Sequence, residues 1–85
     1  MKTMYALSYV SNYCDELYNK VEIFNNKKEI IETANQYIED INSSVMGECV
    51  TKRNFDDYSF GCKEIEVSDY IQGNKFMVSI TEFEV

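Results

Sequence analysis

The side chains in this sequence with the readiest capacity for acid–base, metal or nucleophilic chemistry are its carboxylates and thiols. Fifteen Asp and Glu stand against eight Lys and Arg, there is no histidine, and the formal net charge is −7 over 85 residues. A nucleophilic thiol needs a base or a cationic neighbour that favours the thiolate. Cys14, Cys49 and Cys62 have no histidine to serve them, and Cys14 is followed by Asp15 and Glu16, acids rather than the cationic neighbours a thiolate needs. No CxxC pair occurs, and without histidine no standard zinc site can be assembled. Three widely spaced cysteines, odd in number, read as reduced thiols of a cytoplasmic protein. Asp56 and Asp57 form the densest carboxylate pair. Adjacent residues in a tight turn point apart, whereas metal and glycosidase sites need carboxylates converging in a cleft. Neither an EF-hand loop nor a P-loop is present. The residues therefore point away from an enzyme and imply no cofactor and no metal.

Composition bounds the rest. Eighty-five residues make a single domain, 1–85, with a stability of roughly 4–13 kcal/mol on the usual per-residue range. The chain is 45% apolar, ordinary for a globular protein, and its 14% aromatic content argues against disorder. Met4 to Leu7 is too short an apolar run for a signal peptide, and no run approaches the ~18 apolar residues of a membrane span. Strong acidity argues against direct nucleic-acid binding. Usage favours Asn, Lys, Ile, Tyr and Glu, with no proline or tryptophan and alanine only at Ala6 and Ala34. That bias suggests A/T-rich coding, as in a low-GC bacterium or its phages; a coding sequence of balanced base composition would contradict it.

The elements that must position these side chains follow from periodicity. Asn26 as N-cap and Glu29 three residues on predict a helix over 27–42. Ile30, Ile31, Ala34, Tyr37, Ile38 and Ile41 form its apolar stripe, and Glu29, Glu32, Gln36, Glu39 and Asp40 its other face. Val21 and Ile23 alternate with Lys20 and Glu22, which predicts a strand over 18–24. Residues 3–11 supply its hairpin partner, with the turn within 12–16. Leu7, Val10, Cys14, Leu17 and Val21 also recur at helical spacing, so a helical 4–24 segment and an ααβββ order stand as the runner-up. Strands over 49–55, 58–67 and 76–85 complete the chain, with a turn at Asp56 and Asp57 and a bulge at Gly61. Setting Ile65 opposite Phe76 brings Glu66 opposite Lys75. The expected fold class is α+β, one helix on a mostly antiparallel sheet, ββαβββ.

Placed on these elements, the charge forms rows. Residues 54–85 carry Asp56, Asp57, Glu64, Glu66, Asp69, Glu82 and Glu84 against Lys63 and Lys75. Glu64 with Glu66, and Glu82 with Glu84, are same-face strand neighbours roughly 6.5–6.8 Å apart, the scale of the step between backbone phosphates. The helix adds Glu29, Glu32, Glu39 and Asp40. Such rows suit a basic groove that normally holds nucleic acid. Solubility alone also accounts for a charged face. Tyr13, Tyr18, Tyr58 and Tyr70 lie in or beside predicted turns, either packed on the sheet or, at an acidic rim, forming an interface core.

Small size, acidity, A/T-rich usage, no signal sequence and no catalytic motif together resemble the phage-encoded inhibitors of host defence, of which anti-CRISPR proteins are the best known. The likeness is of class and composition over the whole chain, with no signature motif. It implies a stoichiometric inhibitor in the host-cell cytoplasm, in many cases a nucleic-acid mimic, whose partner is a basic nucleic-acid-binding protein. On that reading Glu64, Glu66, Glu82 and Glu84 lead, followed by Asp56, Asp57 and Asp69, then the helix row, with Tyr58 and Tyr70 beside them. The alternative is a small interaction module forming a homodimer through an exposed edge strand, with the first strand or 76–85 as the edge.

Overall fold

The computed structural model describes residues 1–14, 16–55 and 64–85. Its elements run β1 (Thr3–Tyr13), β2 (Glu16–Phe24), α1 (Lys27–Ser44), a 3-10 turn at Gly47–Cys49, β3 (Glu64–Asp69) and β4 (Asn74–Glu84). The strands form one antiparallel sheet in the order β2-β1-β4-β3, with α1 on one face. The α+β class is as expected, with one α-helix among the described residues.

The N-terminal hairpin forms, and the helical runner-up for 4–24 does not. Tyr, Val, Ser and Asn are mediocre helix formers but fit a pleated surface. Cys14, in the connection, has φ 52°, the left-handed region that glycine favours. Its N–H donates to Asn74 Oδ1 at 3.0 Å, tying the turn to the start of β4. Cys14→Gly keeps that bond and relieves the strained φ. It should raise stability by roughly 0.5–1 kcal/mol, after the entropy that glycine adds to the unfolded chain. Urea unfolding checks this: the midpoint should rise at unchanged slope, and an unmoved or lower midpoint would refute it.

Asn26 caps α1, its Oδ1 accepting from the Glu29 N–H at 3.2 Å. Ser43 and Ser44 hydroxyls donate to the Asp40 carbonyl in the last turn. Ile30, Ala34, Ile38 and Ile41 are buried against Leu7, Ile65, Val67, Phe76, Val78 and Ile80 of the sheet.

Two expectations are corrected here. Residues 50–55 form no strand. Asn35 and Asn42, two turns apart on α1, take the backbone bonds that a neighbouring strand would have taken. Asn42 Nδ2 donates to the Thr51 carbonyl and Asn42 Oδ1 accepts from the Thr51 N–H, both at 3.0 Å. Asn35 Oδ1 accepts from the Phe55 N–H, and the Phe55 ring is fully buried. The β3–β4 register is also two residues from the expected one: Ile65 lies opposite Val78, Glu66 opposite Met77 and Ser68 opposite Lys75. A shift of two preserves which face each side chain takes, so the apolar pattern could not choose between registers. The turn chose: Asp69 Oδ1 accepts from the Ile71 and Gln72 N–H groups, and Gly73, at φ 78°, donates to the Asp69 carbonyl. The expected turn at Asp56 and Asp57, the bulge at Gly61 and the 58–63 part of the expected strand lie outside the described residues.

Candidate partner-binding surface

The apolar stripe of α1 faces the sheet, so its other face is fixed outward. Glu29, Glu32, Gln36, Glu39 and Asp40 are all exposed, and the last turn holds no basic residue. Gln36 Nε2 donates to Asp40 Oδ1 at 3.2 Å. Eleven residues separate Glu29 from Asp40, so four carboxylates span about 16 Å of helix.

The strand carboxylates do not form one row. β3 buries Ile65 and Val67 against the helix, so Glu64 and Glu66 point to the opposite, open face of the sheet. β4 buries Phe76, Val78 and Ile80, and the same alternation puts Glu82 and Glu84 on the helix side, past the end of the core. The acidic residues thus divide: Glu29, Glu32, Glu39, Asp40, Glu82 and Glu84 on the helix side, Glu64 and Glu66 on the other. A sheet with a helix on it stands between them, so one flat groove cannot contact both sets.

Asp69 leaves the surface set altogether. It is 0% exposed. Besides the two turn N–H groups, its carboxylate accepts from the Met46 N–H at 3.2 Å and lies 3.7 Å from the Cys49 thiol. The Gln72 N–H, foremost, holds its pKa below the ordinary aspartate value, and burial opposes this. Tyr70, the next residue, is largely exposed. Asp56, Asp57 and Tyr58 lie outside the described residues. Among the described residues no group of three or more Cys, Asp or Glu is placed to hold a metal, and no helix is long and apolar enough to cross a membrane.

Pattern reading missed a second surface. Leu7 of β1 faces the helix and sits opposite Glu22 of β2. Glu22 and Lys20 therefore take the helix side of β2, and Val21 and Ile23 take the open side. Leu17, Val21 and Ile23 are 81%, 63% and 56% exposed. The signal was the alternation itself, whose polar phase matches the buried phase of β1. On the helix side Lys20 Nζ pairs with Glu22 Oε1 at 3.1 Å, and the Tyr37 hydroxyl donates to Glu22 Oε2 at 3.1 Å. Tyr9 stacks on Tyr37 at 5.1 Å and meets Tyr18 edge-on at 6.0 Å. The hydrogen bond to Glu22, foremost, raises the Lys20 pKa; partial burial, foremost, raises that of Tyr37.

Comparison of the chain with protein-family models, with curated proteins and with solved structures found no match.

Proposed function

We propose that this protein is a stoichiometric, non-enzymatic inhibitor that binds a basic, nucleic-acid-handling protein through the acidic face of α1, in the manner of the anti-CRISPR-like class it resembles. The observation that carries this reading is the row Glu29, Glu32, Glu39 and Asp40, exposed along one rigid helix. A charged row on a helix held by a buried stripe is preorganised, so docking orders little backbone. Glu82 and Glu84 lie on the same side of the sheet and extend the negative field. Four charges over about 16 Å are sparser than the duplex value of one per ~1.7 Å. The row therefore fits a local basic patch rather than the full length of a duplex groove. The place of action is the cytoplasm of the cell whose defence it blocks.

The test is affinity capture from host lysate with mass spectrometry, followed by binding measurements on the captured partner. Neutralising the row with Glu29→Gln, Glu32→Gln, Glu39→Gln and Asp40→Asn should weaken binding by at least about tenfold. It should also flatten the loss of affinity between about 50 and 200 mM salt. The pair Glu64→Gln with Glu66→Gln, on the far face, should change binding much less. Affinity that ignores both the helix substitutions and salt would end this reading.

A further inference from the structure

The two strands expected at the sheet edges, the first and the last, are its centre and pair with each other. Among the described residues the edges are β2 and β3. β3 has six residues and carries Glu64 and Glu66, whose like charges oppose self-pairing. β2 has nine residues, seven of them exposed, and carries no proline. Its cation is no guard, because Lys20 is already paired with Glu22. Such an edge is a template for another strand.

We infer that the partner of this edge is a second copy of the same chain, paired antiparallel along β2 with Val21 on the two-fold axis. In a two-fold antiparallel pairing the numbers of facing residues have a constant sum. With Val21 facing its own copy, Lys20 faces Glu22 of the second chain, Glu22 faces Lys20, and Tyr18 faces Phe24. The two intrachain pairs thereby become one square of alternating charge. The Glu22 carboxylate, already steadied by Tyr37, has acceptor capacity left for the incoming ammonium. Moving the axis to Lys20 sets Lys20 against Lys20, and moving it to Glu22 sets Glu22 against Glu22; both are repulsive. Of the axes at Lys20, Val21 and Glu22, charge favours the one at Val21. On the open face Val21 gains its own copy as a cross-strand neighbour, and Ile23 gains Asn19. Lys20 and Glu22 both lie on the helix side, so this register puts both helices on the same side of one eight-stranded sheet. The dimer displays two acidic helix faces together. The inference does not depend on what those faces bind.

Mass in solution tests it, by light scattering or sedimentation up to hundreds of micromolar. The native chain should pass from monomer to dimer as concentration rises. Lys20→Glu alone and Glu22→Lys alone each put four like charges at the square and should weaken dimerisation at least about 30-fold. An equimolar mixture of the two variants sets opposite charges across the seam again and should form a heterodimer, which also shows that both variants are folded. A native chain that stays monomeric overturns the proposal. So does a dimer that survives either single reversal, because it would be held by another surface. So does a mixture that fails to associate while both variants keep the native circular dichroism spectrum.

Discussion

Asp69→Asn should lower the melting temperature by about 5–15 °C, although Asn is nearly the same size. Asp69 is fully buried, and its two oxygens are divided between two jobs. Oδ1 closes the β3–β4 turn through Ile71 and Gln72, and Oδ2 accepts from Met46 in the segment leaving α1. An amide has one acceptor oxygen. Whichever way the Asn side chain turns, its NH₂ meets an N–H donor, and one buried donor loses its partner. The substitution also changes the pH dependence, with a definite sign. The folded-state pKa of Asp69 lies below the ordinary value. Below that ordinary value the unfolded chain binds the proton more readily than the folded one. The contribution of Asp69 is therefore complete above the ordinary aspartate pKa and disappears as pH falls through the folded one. The other carboxylates titrate in both proteins, so the difference between the native and Asp69→Asn stability curves isolates this residue. It should be flat at neutral pH and shrink toward zero in acid. Melting temperatures within about 2 °C at neutral pH, or parallel acid limbs, would show that the turn closes without the charge.

Phe55→Ala should cost about 3–5 kcal/mol, a large share of the roughly 4–13 kcal/mol available to a chain of this length. The Phe55 ring is wholly excluded from solvent in the cluster that α1 and the sheet share. It hangs from a segment with no strand partners. That segment is held by the side-chain amides of Asn35 and Asn42 and by the ring itself. Truncation removes buried apolar surface and leaves a cavity that the sheet below and the helix beside it are too rigid to fill. Phe55→Leu keeps most of the volume and should cost about 1.5 kcal/mol or less. Equilibrium unfolding in urea measures both. A loss below about 1 kcal/mol for Phe55→Ala would place the ring outside the energetic core, whatever its burial.

Both substitutions act on residues whose importance had no periodic signature. Asp69 read as one more surface carboxylate, and Phe55 as the end of a strand. The helix, by contrast, was legible to within two residues. A capping Asn, a stripe at 3.6-residue period and a polar opposite face are local properties, and they agree with one another. The hairpin was legible for a similar reason: β-type residues on both sides of a short polar stretch leave few alternatives. Residues 50–55 were not. Val50 and Thr51 fit a strand, but a strand needs a neighbour, and here two amides seven residues apart on α1 supplied the bonds first.

The sequence alone determined that this is an acidic one-helix α+β chain with no histidine, no metal motif and a row of carboxylates on the outer face of α1. Those follow from residue type and period. Tertiary structure decided three further things: that the first and last strands form the centre, that Glu64 and Glu66 look away from Glu82 and Glu84, and that Val21 and Ile23 face outward. Each depends on which strand lies next to which and in what register. Alternation specifies that a strand has two faces; only the neighbour across the sheet specifies which of them meets the helix. For β2 that neighbour is β1, whose Leu7 set the polar side of β2 toward the core and left Val21 and Ile23 exposed on the open face.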